Sequence, residues 1–313
     1  MSEHMSPLDQ LYILNAELMK HGDKFTSPIV TVGGQAVHYW VVWYKDIYSE
    51  HPPIDYITSN DIDVTARNID ISVISSVLDV PVNYNDGSPP SLAILPLKNI
   101  KDGKIKTYFH KKFVNKEIFD DRHIEEPNIV DVLSSASYLT PSDFNGRKLI
   151  INTEVFHLPM EKFQYTAHDK VRVLNPITCM ASRFHNVTQG VKRNVVQEVA
   201  RIKALMVPVV AFIIEKFFIE EFRNGRKFLD LFVREVGKTA YRRFIVEHQI
   251  DIIKMLELIH SELSESGEFE ENNHAFLTKE LPNTIHQLSL QIERKKAQIH
   301  REILTKNKQL QRG

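Results

Sequence analysis

A single cysteine, Cys179, stands among the 313 residues of the chain. No disulfide can close within it, and thiolates are too few for a zinc cluster, so a reducing, cytoplasmic setting is the expectation. Cys179 itself reads as a small buried hydrophobe. Neither sign of charge dominates: 39 Lys and Arg face 40 Asp and Glu, a formal net charge of −1. No global basic field therefore announces nucleic acid, and only a local patch could contact it. Long apolar runs are missing too. The greasiest stretch, Ala204 to Ile214, meets Glu215-Lys216 well short of the roughly 20 residues that a membrane span requires. A buried helix and no membrane partner are expected there. The segment Met1-Ser-Glu-His-Met-Ser-Pro7 has no basic stretch ahead of an apolar one, so no secretory leader is expected and Asn186-Val-Thr188 carries no glycan. Gly-x-x-x-x-Gly-Lys-Ser/Thr, His-Glu-x-x-His and Gly-x-Ser-x-Gly are all absent, which removes P-loop, zinc-protease and common hydrolase chemistry.

What remains is ordinary globular material, 42% hydrophobic and 25% charged, enough for a real core in one domain or, preferably, two. Up to residue 174 strands and short helices mix. Strands are expected at Ile29–Val32, after Asp61, at Ser91–Leu97, Asn128–Leu133 and Leu149–Leu158, with a helix capped by Asn68. The character changes at Asn175-Pro176, a cap followed by a first-turn proline. From there the pattern is helical at about 195–223, 227–263 and 275–310. Pro208 should kink or break the first of these, Asn224-Gly225 should separate the first from the second, and the acidic run Ser264 to Asn273 reads as a loop between the second and the third. The last helix, with Ile285, Leu288, Ile292, Ile299 and Ile303 on one stripe, packs on the helical part or binds a partner.

Two short stretches organise the chain. Ile29-Val-Thr-Val-Gly-Gly-Gln-Ala-Val37 reads as a strand, a tight Gly33-Gly34 turn and the opening of a helix. Backbone N–H groups without a Cβ at a helix N-terminus suit a triphosphate. Thr58-Ser-Asn-Asp-Ile-Asp-Val-Thr-Ala66 leads into a strand on which Asp61 and Asp63 alternate with Ile62 and Val64. Side chains alternate across a strand, so the two carboxylates share one face and the apolar pair the other. Carboxylates side by side repel unless a cation sits between them, and Mg²⁺ is the hard ion that takes both carboxylate and phosphate oxygens. The plainer reading of the pair is two surface acids, and of Thr58 and Ser59 ordinary turn hydrogen bonds.

A Gly-Gly turn opening a helix, followed by Asp-x-Asp on a strand, resembles the polymerase-beta-like nucleotidyltransferase superfamily, and within it the AbiEii/MenT-like branch of bacterial toxin and phage-defence nucleotidyltransferases. The resemblance covers roughly the first half of the chain in motif terms. It implies an α+β protein: a small mixed-sheet nucleotidyltransferase domain over 1–174, and an all-helical domain over 175–313 that closes the nucleotide cleft. The implied chemistry moves an NMP from an NTP to an acceptor hydroxyl, with two Mg²⁺ ions held by three acids. Asp61 and Asp63 supply two of them. By the superfamily pattern the third lies in a later short apolar strand, where Val130-Asp131-Val132 fits best, and Asp131 either binds metal or acts as general base. Glu154 competes for that role. Asp131 is favoured because strand residues flank it on both sides, and its plainer reading is an edge or capping aspartate.

The resemblance also assigns Gly33, Gly34, Ser59 and Arg183 to the nucleotide, with Lys192 and Arg193 as weaker candidates. The plainer reading of Arg183 is a surface salt bridge, and that of His185 is packing. Lys98 to Lys116, lysine-rich with Tyr108, Phe109 and Phe113 interleaved, is either a solvated hairpin or a contact for polyphosphate or RNA. The implied acceptor is an RNA 3′ end such as tRNA, or a protein side chain, and a toxin would imply an antitoxin. Two alternatives stand beside this reading: a small-molecule nucleotidyltransferase of the antibiotic-modifying kind, and a nucleotide-binding scaffold that has lost catalysis.

Overall fold

A computed structural model describes residues 15–49, 52, 62–84, 91–96, 98–101, 104–107, 129–156, 170–190 and 195–310. The protein is mixed α/β, with a seven-stranded mixed sheet and a C-terminal helical region. It forms two compact units, Met1–Arg183 with Val196–Leu205, and Phe184–Val195 with Met206–Gly313. Among the described residues, no helix is long and apolar enough to cross a membrane.

In the first unit, residues 15–20 are helical. Strand β1 (Val30–Thr31) leads into helix α1 (Gly33–Trp43), and β2 (Ile62–Thr65) is followed by α2 (Ile71–Leu78). Next come β3 (Asn83–Tyr84), β4 (Ser91–Pro96), the hairpin β5 (Lys98–Lys101) and β6 (Lys104–Thr107), and β7 (Ile129–Leu133). Helix α3 (Gly146–Asn152), β8 (Thr153–Phe156), β9 (Val171–Leu174), α4 (Pro176–Thr188), whose residues from Phe184 on belong to the second unit, and α5 (Val195–Ala204), which belongs to the first from Val196 on, follow. The sheet order is β3-β4-β7-β2-β1-β9-β8. Strands β2 and β7 run parallel, as do β1 and β9, and β1 is antiparallel to β2.

One face of the sheet is apolar for the reason the alternation gives. Ile62, Val64, Ala93, Leu95, Val130 and Val132 join Leu18, Ile71, Ile74 and Leu78 in a buried cluster. Asp70 ties the approach to β1 onto α2. Its carboxylate, 1% exposed, accepts from the Thr26 backbone N–H (2.7 Å) and from the hydroxyls of Thr26 (3.0 Å) and Ser27 (3.1 Å), so a buried charge is solvated by fixed donors. Helix α1 is buried nearly all round, as expected of an apolar helix inside a domain. Its polar tips find partners: the Trp40 indole N–H donates to the Leu174 carbonyl at 2.7 Å, and Asn15 donates to the Tyr39 hydroxyl at 2.9 Å. The Tyr48 hydroxyl donates to the Ala204 carbonyl at 2.6 Å, holding the end of α5.

Four sequence expectations are corrected. Residues 149–152, read as strand, are the second half of α3. The turn Pro141–Phe144, with Asp143 accepting from the Thr140 N–H and hydroxyl, feeds the chain straight into a helix. The strand begins only at Thr153, where β9 offers a ladder, and Ile150 is left 69% exposed. In the second unit the helices are α6 (Met206–Ile219), α7 (Phe222–Val236), α8 (Thr239–Glu247), α9 (Ile252–Glu265), α10 (Gly267–Ala275) and α11 (Leu281–Leu310). Asn224-Gly225 lies inside α7 instead of breaking it. The acidic run after Ser264 is also helix: only Ser266 is extended between α9 and α10, and Glu268 and Glu270 occupy the first turn of α10, where the macrodipole favours acids. The break expected at Pro208 falls between Ala204 and Met206, which leaves the proline in the first turn of α6, where its missing donor costs nothing.

Gly225 is needed for packing. A Cβ there would meet Phe217 at 2.4 Å from its ring and 2.8 Å from its Cα. Gly225→Ala should therefore lower stability by about 1–2 kcal/mol, an overpacking cost that exceeds the helix-propensity gain of about 1 kcal/mol, as read by urea unfolding. A pH effect is expected from α1. The His38 Nδ1 is buried with no hydrogen-bond partner, and burial pushes the imidazole down to about 4. The unfolded chain then binds the proton first, so the native state keeps its full stability above about pH 6.5 and loses up to about 2–3 kcal/mol as pH falls to about 4. Unfolding at pH 7.5 and 5 should show a smaller loss in His38→Gln than in wild type.

Candidate functional site

The site is built at one end of the central strands of the sheet. Because β1 is antiparallel to β2, the end of β1 and the start of β2 meet there, and the Val32 N–H donates to the Asp63 carbonyl at 2.8 Å. Gly33 follows with φ +67, a left-handed conformation that costs any residue with a Cβ about 1–2 kcal/mol. A second constraint acts at the same atom. A Cβ on Gly33 would lie 1.8 Å from an oxygen of the Asp63 carboxylate and 2.8 Å from its Cβ. The glycine turn and the aspartate thus occupy each other's only available space. Gly34 is buried at the opening of α1.

On the other side of β2, Asp63 is the register partner of Asp131 on the parallel strand β7. In-register residues on neighbouring strands point to the same face, with backbones about 4.8 Å apart. Both acids are half-buried, while Ile62, Val64, Val130 and Val132 on the reverse face are fully buried. The Asp131 carboxylate accepts from the Ser91 hydroxyl at 2.6 Å, at the point where a bulge between Ser91 and Ala93 shifts the β4 register. Glu154, the competitor, sits on the edge strand β8 opposite Val173, with β1 and β9 between its strand and β2. It acts there on Arg172, whose guanidinium burial pushes down and Glu154 draws back up. The fold therefore brings Asp131, and not Glu154, beside Asp63. Asp61, Ser59, Lys192 and Arg193 lie outside the described residues, as do the side chains of Lys98 to Lys116.

Arg183, on α4, is 4% exposed. Its Nη1 donates to Glu198 Oε1 of α5 at 3.4 Å and forms an ion pair with Oε2 at 3.3 Å, and its Nη2 donates to the Ser182 hydroxyl at 3.1 Å. Arg201, one turn along α5, donates to the same Glu198 at 2.9 Å. Glu198 and Arg201 are 1% and 6% exposed. The Ser182 hydroxyl also bonds that of Ser137 (3.0 Å), in the loop after β7, where Ser137 holds φ +52. Burial pushes the Cys179 thiol up to about 12, so it is no nucleophile at neutral pH. Sequence reasoning missed Glu198 and Arg201. Three residues apart on a helix, they look like an ordinary surface pair, and no local signal marks them as buried; in the fold it is Val196, on the opposite side of the turn, that is left exposed, at 68%. Comparison with protein-family models, with curated proteins and with solved structures finds no match to the chain.

Gly33→Ala should lose about 2–4 kcal/mol of stability, from the left-handed backbone and from displacing Asp63. Thermal melts beside Gly190→Ala test this. Gly190 has a similar φ of +68 but open space around it, so it reports the backbone contribution alone and should lose less.

Proposed function

We propose that the protein is a metal-dependent nucleotidyltransferase that moves an NMP from an NTP to an acceptor hydroxyl. The observation that supports this best is the in-register pairing of Asp63 with Asp131 beside the Gly33 turn. The donor set fits magnesium: two half-exposed carboxylates one strand spacing apart repel each other without a cation, and hard oxygens are what Mg²⁺ takes. Asp61, Asp63 and Asp131 would hold it. When bound, two Mg²⁺ ions would supply Lewis-acid activation of the attacking oxygen and charge neutralisation on the leaving phosphates.

The chain's own residues divide the remaining work. Gly33 and Gly34 offer backbone N–H groups at the opening of α1, where the helix dipole favours a triphosphate. Ser59 and Arg183 are assigned to the nucleotide, Arg183 acting through the charge of the buried group it forms with Glu198 and Arg201. Asp131, oriented by Ser91, serves the acceptor side and takes the hydroxyl proton as the oxygen attacks the α-phosphorus and pyrophosphate departs. The acceptor class is an RNA 3′ end such as tRNA or a protein hydroxyl, and the setting is cytoplasmic, a toxin or defence protein with a neutralising antitoxin.

The test is incubation with each α-labelled NTP, Mg²⁺ and total RNA or lysate. Wild type should label one acceptor class, EDTA should abolish labelling, and Asp63→Ala or Asp131→Ala should reduce it on the order of 10³-fold. Glu154→Ala should stay within about threefold. Absence of label with every NTP, in folded protein, would sink the transferase reading.

A further inference from the structure

A small cavity opens where β2 and β7 end, with about 10 Å³ of room for the centre of a water-sized atom. Ser27, Thr65, Arg67, Ser134 and Phe144 line it. Thr65 is 3% exposed, and its hydroxyl is buried without a hydrogen-bond partner among the described residues. A buried hydroxyl left unbonded is costly, so an atom able to bond it belongs in the cavity. Arg67 is exposed and forms no ion pair among the described residues. Ser27 gives its own proton to Asp70, so the Thr65 hydroxyl and the Arg67 guanidinium are the donors that remain for a ligand. Together they suit an oxyanion, with one oxygen seated in the cavity and the others facing the guanidinium. A water would satisfy Thr65 alone.

The register relates this cavity to the acidic pair. Side chains two residues apart on a strand share a face, so Thr65 stands on the face of Asp63, about 7 Å along β2. Val30 pairs with Thr65, whereas the Val32 N–H bonds Asp63. The cavity and the Gly33 turn therefore lie on opposite sides of Asp63 along the strand. With the triphosphate over that turn, the cavity is on the acceptor's side. We propose that it binds a phosphate group of the acceptor through the Thr65 hydroxyl and the Arg67 guanidinium, which makes the acceptor an RNA in place of a protein. The assignment to the acceptor rests on the nucleotidyltransferase reading; the phosphate site itself does not.

Titration of the full chain with inorganic phosphate, without metal or NTP, tests the site through the NMR shifts of the Thr65, Ala66, Arg67 and Ser134 amides. Saturable shifts are expected. Thr65→Val and Arg67→Gln should each weaken binding roughly tenfold, the scale of one hydrogen bond to a charged group. Thr65→Ser keeps the hydroxyl and should stay within about threefold of wild type. No saturable shift at these amides, or an unchanged affinity in either Thr65→Val or Arg67→Gln, leaves a water-filled cavity and overturns the site. The labelling assay then separates the two sources of phosphate. Arg67→Gln should raise the KM for RNA roughly tenfold and leave that for NTP in place. A raised KM for NTP instead, or label on protein alone, overturns the assignment to the acceptor. Phosphate binding with no transfer to any acceptor overturns the nucleotidyltransferase reading and the acceptor assignment with it, and leaves the phosphate site standing.

Discussion

The parallel pairing of β2 with β7 is the constraint on which the candidate site depends. A slip of one residue in that register would turn Asp63 or Asp131 to the other face and bring its apolar neighbours out. The register is locked from beneath, because Ile62, Val64, Val130 and Val132 are all essentially inaccessible. Burying four such side chains is worth several kcal/mol, whereas two carboxylates side by side on the open face cost about 1 kcal/mol or less. The core therefore wins, and the juxtaposition of like charge is enforced by hydrophobic burial on the reverse side.

Around that enforced pair, each neighbour limits what the carboxylates can do. Gly33 gives Asp63 a wall of backbone in place of a side chain, and Ser91 fixes one oxygen of Asp131. The bulge after Ser91 lets that hydroxyl reach across to the acid while Leu95 and Ala93 keep their places in the core. These are constraints of position, made by backbone and short side chains, which are the parts of a fold least able to drift.

What was legible in the sequence follows the range of the interaction responsible. The strand, glycine turn and helix of 29–43 and the alternation of Asp63 with Ile62 and Val64 are local, and their patterns are visible in short windows. The cap at Asn175 is equally local: its side-chain oxygen accepts from the Thr178 N–H at 2.8 Å. The strand around Asp131 was legible from its apolar flanks, but its position beside Asp63 is a pairing across 68 residues, which no local pattern encodes. The misread elements share a cause. Leu149–Asn152 and the Gly225 segment carry residues whose local preference points one way while a neighbour decides otherwise, the β9 ladder in the first case and Phe217 in the second.

Helix α5 shows the same conflict most sharply, and there it bears on chemistry. A short amphipathic helix settled by packing alone would turn Val195 and Val196 inward and Glu198 and Arg201 to water. The opposite orientation is found, with Val196 exposed and both charges buried. Leaving a valine out forfeits about 1.5 kcal/mol or more, and desolvating ions costs several more before their mutual attraction is counted. Ile202, Ala204 and Leu205 do bury apolar surface on the inward side, and the Tyr48 bond holds the C-terminal end, but neither requires a glutamate or an arginine in the interior. Part of the compensation lies within the helix, where Glu198 and Arg201 pair at 2.9 Å, and part comes from outside it. Arg183 adds a second guanidinium to Glu198 at 3.3 Å. The orientation of α5 is thus decided by ion pairing within the helix and with Arg183 of α4, and not by the helix's own hydrophobic pattern.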